Sequence, residues 1–354
     1  GFSSFVVKKA QIAEDKKKEF SNVFYFFDLL SIVILPIFFL VTYFFLSKLD
    51  KNVFLIFGLF AAGFFFSLCS LVSSFLLGEK RYKFSILVET IVPKSLQVLI
   101  FGLLIVLKQY DFLANNYIII FGIIYAVVSV PFLFFYLKKS KIHFTKSEIV
   151  SISLFFLISF EANAGNSLIK ILQGELFSTS DTNPQIQYDL MLGCLSLSIQ
   201  IVSMGTIFVG VIANIAKPHF ALLATKSNKE LIDFFKKTIR LSGYISIPFM
   251  IAFAVEAKQV MSFFGISSYP IFLKILSLYG LVLAIGGPCG TLLEMSGMEK
   301  YELISGTCNI LCFIGISFLF RKITVYSLPI GLLVGVAVGK ILNLIFIKIK
   351  FKEN

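Results

Sequence analysis

The chain has 354 residues, of which 57% are hydrophobic and only 15% are charged, and its mean hydropathy is +0.90. One soluble core cannot hide this much apolar surface, so the composition excludes an ordinary water-soluble domain and indicates a protein of the lipid bilayer. The net charge of +12 would suit nucleic acid, but the lysines lie between apolar runs, so we predict no nucleic-acid partner.

The apolar runs predict the membrane-spanning helices. A helix needs about 20 mostly apolar residues to cross the hydrocarbon core, and runs of that length predict ten spans, at 23–47, 53–77, 84–107, 117–137, 149–172, 189–215, 241–264, 271–293, 303–320 and 325–347. We therefore expect an all-α polytopic membrane protein. The seventh span is the least sharply bounded, because its apolar core stops at Val255 and it can begin as early as Phe234.

The basic residues of the connections predict the orientation. Lysine and arginine favour the cytoplasmic side of short loops. Of the 32 basic residues, 22 lie in one set of alternate connections, which includes both chain ends, and 6 lie in the opposite set. Both ends of this chain are therefore expected to be cytoplasmic.

Two pairs of similar segments indicate an internal repeat. Residues 78–83 close one apolar run with Gly-Glu-Lys, and residues 297–302 close another with Gly-Met-Glu-Lys, 219 residues later. Lys18–Phe20 and Lys229–Leu231 each lead into an apolar run, 211 residues apart. A repeat of this length fits a duplicated half-transporter rather than a solenoid unit.

The repeat predicts two lobes of unequal length. Two spans precede the connection of the second half that matches residues 1–22, so two further helices are expected before Gly1. We predict ten helices of a twelve-helix protein, with an N-terminal lobe at 1–140 that lacks its first two helices and a six-helix lobe at 141–354. An even number of helices per lobe places the pseudo-twofold axis along the membrane normal, with the binding cavity between the lobes.

Two segments carry a resemblance to a known family. Residues 286–300 read GGPCGTLLEMSGMEK and resemble the GP-x-G-x-LL-x-x-x-G signature of the polysaccharide and O-antigen flippases (Wzx type). This family belongs to the multidrug/oligosaccharidyl-lipid/polysaccharide exporter superfamily. Residues 215–220, followed by 228–231, are similar to its loop between helices eight and nine. Its members have twelve to fourteen helices in two lobes, which agrees with the predicted count.

The resemblance implies a flippase of the bacterial cytoplasmic (inner) membrane. Such a protein moves an undecaprenyl-diphosphate-linked oligosaccharide to the outer leaflet by alternating access, for polysaccharide or O-antigen export. The implied partners are this lipid-linked oligosaccharide and membrane lipids, with glycan-assembly proteins as further candidates, and no cofactor is implied. The first two helices of the family contribute to the cavity, so a chain without them is not expected to transport.

Ionisable residues within spans are costly and usually line water or pair with each other. Lys94 lies about ten residues into the third span, or about 15 Å at 1.5 Å per residue, and we favour its facing the cavity as a substrate ligand over a partner on another helix. Glu89 lies about 140° away around a straight helix, which argues against an ion pair, and it is a candidate proton or ion coupling site. Pro93 is expected to kink this helix, and Lys274, near the outer end of its span, is expected to snorkel.

The fifth span carries a polar stripe. Ser159, Asn163, Asn166 and Lys170 follow one another at helical spacing and share one face. They predict either a track for sugar hydroxyls or hydrogen bonds to a neighbouring helix. Glu161 points roughly the opposite way, and it is either a carboxyl in a packed interface or a second candidate coupling site.

The tenth span combines small and polar residues. Gly331, Gly335 and Gly339 at four-residue spacing predict close packing against another helix. Lys340 follows them, beside Asn343, and its ammonium offers a point charge to a diphosphate. Lys340 and Asn343 therefore join Lys94, Asn163, Asn166 and Lys170 as predicted substrate-binding residues.

Two other classes of protein are weaker alternatives. A drug or cation antiporter of the same superfamily would share the fold, but such proteins rely on carboxylates, whereas the deep positions here hold as many lysines as acids. A membrane-embedded polymerase or ligase needs a large external loop with catalytic groups, and the longest one, 174–188, has no basic residue or histidine. We predict no catalytic residues. The five cysteines lie in apolar runs and His143 and His219 are isolated, so we predict no metal site.

Overall fold

A computed structural model describes residues 2–12, 20–28, 53–136, 148–159, 184–266, 268–321 and 323–352, together with Asp15, Lys18 and Thr145. Every regular element in these residues is a helix. Seven of the described helices are long and apolar enough to cross a membrane, or eight when one bent pair counts as a single span. The predicted all-α polytopic fold is therefore confirmed. Most of the first predicted span and the second half of the fifth lie outside the described residues.

The chain forms two compact units, Phe2–Ile149 and Val150–Asn354. The predicted boundary between lobes, at 140 and 141, lies outside the described residues. In the N-terminal unit the described helices are α1 (Phe2–Ile12), α2 (20–28), α3 (Val53–Gly78), α4 (Tyr82–Val106) and α5 (Tyr110–Tyr136).

The predicted connection at 1–22 is wrong for its first part, because residues 2–12 form α1. This helix buries Phe5, Val7 and Ala10 and packs against α3. The close approach depends on Gly78 at the end of α3, where an added Cβ would lie 2.6 Å from the Cβ of Ala10 and 2.9 Å from the carbonyl oxygen of Val7. Lysines on the other side of α1 shorten its apolar run, so hydropathy shows no span-like signal there.

The third predicted span is a helix with a π-helical turn. Residues Leu87–Ile91 form this turn within α4, directly before the buried Pro93. Proline lacks the N–H that a regular helix uses and crowds the preceding turn, and a π turn is a common way to absorb such a mismatch. The expected kink at Pro93 therefore takes the form of a π turn, and the straight-helix angle between Glu89 and Lys94 does not apply.

The C-terminal unit contains most of α6 (Glu148–Ser159), whose first two residues belong to the N-terminal unit. The remaining described helices are α7 (Pro184–Ala224), α8 (Asn228–Val255), α9 (Ala257–Phe263), α10 (Ile271–Gly286), α11 (Cys289–Met295), α12 (Glu299–Phe320) and α13 (Ser327–Lys352). Their buried side chains, among them Met250, Met261, Phe272, Leu276 and Phe313, form one hydrophobic core. Burial of these apolar groups holds the helices of this unit together.

The bounds of two predicted segments in this unit are wrong. The connection predicted at 216–240 is almost entirely helical, because α7 and α8 extend past the apolar runs and leave only 225–227 between them. Ser227 caps α8, and its hydroxyl accepts a hydrogen bond from the N–H of Glu230 at 3.4 Å. The span predicted at 241–264 begins earlier and ends at Val255, because Glu256 separates α8 from the short α9.

The two similar segments at 78–83 and 297–302 both form tight turns between helices. In the first turn Lys80 takes the left-handed conformation, with φ of 63°, while in the second Gly297 takes it, with φ of 81°. Glycine adopts this conformation without the steric cost that a lysine incurs. The sequence repeat therefore marks equivalent turns whose backbones differ in detail.

Candidate functional site

The eighth predicted span is broken about two-thirds of the way along, between a helix of 16 residues and one of 7. Helices α10 and α11 bend by 41° at the break between them. Gly287 has φ of 52° and ψ of −147°, a conformation that strongly favours glycine, and Pro288, which follows it, has no N–H to donate. A break at this depth leaves backbone carbonyl groups without helical donors, and in a membrane these groups need other donors within the protein.

Lys340 supplies one such donor. Its Nζ donates a hydrogen bond to the carbonyl oxygen of Gly287 at 2.9 Å. Its side chain lies flat over α10, because a Cβ added at Gly286 would lie 2.7 Å from the Lys340 Cδ. No carboxylate lies within ion-pair distance of Lys340 in the part of the chain that the structure describes. The ammonium has two N–H groups besides the one whose hydrogen bond Gly287 accepts.

Polar side chains continue along the facing surfaces of α11, α12 and α13. The carboxylate of Glu302 lies where a Cβ on Gly290 would stand. The hydroxyl of Ser305 donates to the amide oxygen of Asn343, which is only 4% exposed. The structure thus places Asn343, a predicted substrate ligand, in the α12–α13 interface with its oxygen bonded to α12.

The predicted glycine packing of α13 is also observed. A Cβ on Gly331 would lie 2.7 Å from the carbonyl oxygen of Phe313, and one on Gly335 would lie 2.7 Å from that of Asn309. Neither position has room for a side chain, because backbone atoms of α12 occupy the space. The stripe of glycines therefore brings α13 close to α12 and fixes the helix that carries Lys340.

In the N-terminal unit, Glu89 forms a polar cluster with serines of α3. The Ser73 hydroxyl donates to Glu89 Oε2 at 2.6 Å and lies 2.8 Å from the hydroxyl of Ser85, and the Ser70 hydroxyl is 3.5 Å from Oε1. Hydrogen bonds to an ionised carboxylate are stronger than those between neutral groups. Glu89 is itself exposed on the surface of the N-terminal unit.

The π turn places this cluster. Glu89 lies within the turn, and the carbonyl oxygen of the neighbouring Val88 accepts a hydrogen bond from the thiol of Cys69, with 3.2 Å between oxygen and Sγ. Ser70, Ser73 and Ser85 were not predicted from the sequence as partners of Glu89. Ser70 and Ser73 are three residues apart on α3 and therefore lie on one face of the helix. This spacing is the feature of the sequence from which a polar contact on that face could have been predicted.

Lys94 lies on the same helix, after the π turn. Its side chain is exposed, and the described residues hold no carboxylate within ion-pair distance of it. The other predicted site residues, Asn163, Asn166, Lys170 and Glu161, lie outside the described residues.

Comparisons with known proteins place the fold. A family profile described as "Polysaccharide biosynthesis protein" matches residues 1–269. No curated protein matches the chain.

Solved structures of MATE transporters share the fold. One is a point mutant of a MATE protein, 13% identical, with a TM-score of 0.81 over 99% of this chain and 83% of that chain. An outward-facing multidrug resistance MATE transporter of the MOP superfamily is 14% identical, with a TM-score of 0.74 over 99% and 82%. A MOP-superfamily transporter from Pyrococcus furiosus, described by the reverse polarity of its binding pocket, is 15% identical, with a TM-score of 0.70 over 99% and 82%.

Proposed function

Because the chain belongs to the polysaccharide biosynthesis protein family and has the fold of a MOP-superfamily transporter, we propose that it is a flippase for a lipid-linked oligosaccharide. The substrate is an oligosaccharide on a polyprenyl diphosphate, of the undecaprenyl-diphosphate class. It moves from the cytoplasmic to the outer leaflet by alternating access, for export of polysaccharide or O-antigen.

The observation that carries this proposal is the pair of intramembrane lysines without carboxylate partners among the described residues. Transporters of cationic drugs rely on intramembrane carboxylates, whereas the spans here hold Lys94 and Lys340 as well as Glu89, and neither lysine has a carboxylate within ion-pair distance among the described residues. A diphosphate carries negative charge, and an ammonium binds it as a point charge. The two free N–H groups of Lys340 suit such a ligand, and Lys170, Asn163 and Asn166 remain proposed contacts for the sugars.

Glu89 is the proposed coupling residue. A carboxylate that is exposed and hydrogen-bonded to serine hydroxyls can bind and release a proton, and its charge state changes the strength of the Ser73 contact, since a charged acceptor bonds more strongly. Protonation would thus loosen the contact between α3 and α4. Glu161 remains a second proposed coupling site.

The proposed location is the bacterial inner membrane with both ends of this chain in the cytoplasm. The excess of lysine and arginine in one set of connections supports this orientation. Under it, residues 225–227 between α7 and α8 and the turn at Gly297 lie on the cytoplasmic side.

The test is export of glycan by cells that depend on the protein as its gene encodes it. We expect K94Q and K340Q each to reduce surface glycan at least tenfold at unchanged protein level. K274Q is the matched control, because Lys274 is an exposed lysine at the start of α10 and is expected to leave export unchanged. Export at the wild-type level by both K94Q and K340Q would remove the lysines from the substrate site.

The same strains distinguish a flippase from a drug antiporter. If the protein confers drug resistance and its deletion leaves surface glycan unchanged, the flippase proposal is wrong. We further expect E89Q to abolish export while leaving binding of the lipid-linked substrate intact, because it removes the titrating group and keeps the side-chain size. Loss of binding in E89Q would assign Glu89 to the substrate site instead.

A further inference from the structure

The hairpin of α7 and α8 encloses a groove of about 270 Å³. Its lining comes from both helices: Ile212, Ile215, Ala216, His219, Phe234, Lys237, Thr238 and Leu241. All of these residues belong to the C-terminal unit, and none of them has a role in the substrate site proposed above.

The groove changes from apolar to cationic along its length. The apolar runs of α7 and α8 end at 215 and begin at 241, so Ile215 and Leu241 lie at the level where acyl chains end. These two side chains are 43% and 52% exposed, and a water-facing position would not favour them. His219 and Lys237 lie about one helical turn further from the apolar runs, where phospholipid headgroups lie.

The described residues place no neutralising carboxylate beside the lysine at this end. No carboxylate lies within ion-pair distance of Lys237 among the described residues, although Asp233 precedes it by one turn on α8. Residues 216–240 hold six lysines and arginines but only two acids. The His219 ring contacts the Phe234 ring, with 5.5 Å between centroids, so this imidazole has a fixed position beside the groove.

We propose that this groove binds an anionic phospholipid. The phosphate lies against the Lys237 ammonium, with the His219 ring beside it, whereas the Thr238 hydroxyl donates to the carbonyl of Phe234 and only lines the groove. An acyl chain runs over Ile215 and Leu241. Basic pockets between membrane helices on the cytoplasmic side attract anionic headgroups, and the exposed apolar residues supply the hydrophobic contact that a soluble phosphate could not use. The proposal is independent of the transported substrate.

Binding of phosphatidylglycerol to the purified chain in detergent micelles tests this assignment, with phosphatidylcholine of the same acyl chains as the neutral probe. Native mass spectrometry at increasing lipid concentration gives an apparent dissociation constant for each lipid. We expect tighter binding of phosphatidylglycerol than of phosphatidylcholine and, in K237Q, about fivefold weaker binding of phosphatidylglycerol only, the effect of one lysine near an anionic lipid surface. Lys237 is exposed, so this variant keeps its fold, which its unfolding temperature verifies.

K236Q is the matched control, because Lys236 is the adjacent exposed lysine and does not line the groove. Equal weakening in K236Q and K237Q would show diffuse attraction to the basic surface and overturn a defined site. Equal binding of both lipids by the wild type would show that the groove binds acyl chains without selecting the headgroup, and this too would overturn the proposed site. If a polyprenyl diphosphate displaces phosphatidylglycerol from the wild type but not from K237Q, the groove takes the carrier lipid and the phospholipid assignment is wrong.

Discussion

Replacing Lys340 separates its support of the helix break from its proposed role in binding an anion. Three substitutions form the series. K340M removes the donor and the charge, K340Q keeps a donor without the charge, and K340R keeps both in a different shape. The wild-type contact is a charged N–H bonded to the Gly287 carbonyl at 2.9 Å, beside a proline that cannot donate.

The magnitude follows from the type of bond. A hydrogen bond to a charged group contributes about 1.5–3 kcal/mol, and a buried carbonyl left without a donor adds its own desolvation cost. Removing a partly buried ammonium offsets part of this loss of stability, because the folded protein no longer has to desolvate a charge. We therefore expect K340M to lower the free energy of unfolding by about 2 kcal/mol, and K340Q by less, since an amide reaching the carbonyl restores part of the bond.

The assays are chemical unfolding in detergent for stability and surface glycan for function. K340Q should keep most of the stability yet lose export, whereas K340R should keep export at least in part. A K340M protein as stable as the wild type would refute the support of the break by Lys340. A K340Q protein that exports normally would refute the role of the charge. G286A adds an independent check, because its Cβ would displace the Lys340 side chain, so its effect and that of K340M should not add.

Two further predictions concern packing and pH. G335A should lower the free energy of unfolding by about 1–3 kcal/mol, because its Cβ overpacks against the Asn309 backbone. G315A has open space around its Cβ and should leave the free energy of unfolding unchanged or raise it by up to about 1 kcal/mol. Equal free energies of unfolding for G335A and G315A would contradict the close α12–α13 packing. The pKa of Glu148 is lowered because hydrogen bonds from Lys9 and Thr145 outweigh the opposing effect of burial, so its contact with Lys9 stabilises the protein above the ordinary glutamate pKa of about 4.3 and is lost as the pH falls through the lower folded value. The stability difference between the wild type and E148Q should therefore be present at pH 7 and should decrease as the pH falls below about 4.3, and a difference independent of pH would contradict this linkage.

The sequence predicted the spans well where hydropathy alone decides them. Each described span begins or ends within a few residues of its apolar run, except the one predicted at 241–264, which begins and ends earlier. Charged residues continue several helices beyond the apolar runs. Lys217 and Lys237 do so on α7 and α8, and Lys8 and Lys9 do so on α1. A hydropathy pattern reports the thickness of the membrane and not the length of the helix, so it ends a span at the first charges and misses the helical extension.

The candidate site was predicted only in part, because its key contacts depend on backbone irregularities. The lysine at 340 was identified from its depth, but its bond to Gly287 exists only because α10 and α11 are broken there. Likewise, Glu89 was identified as an intramembrane acid, while its bond to Ser73 depends on the π turn. Neither the direction of a break nor the register of a π turn follows from hydropathy.

The two units place these irregularities in different members of the repeat. With the offset of 219 residues, α3 corresponds to α10 and α11, and α4 corresponds to α12. In the N-terminal unit α3 is continuous and α4 carries the π turn, whereas in the C-terminal unit α10 and α11 are broken and α12 is regular. Each irregularity lies next to a proline, Pro93 or Pro288, and brings backbone carbonyls to a side chain of another helix. In each unit the contact of the candidate residue thus follows from a local departure from the repeat: the Glu89 carboxylate accepts a hydrogen bond from a serine hydroxyl, and the Lys340 ammonium donates one to a backbone carbonyl.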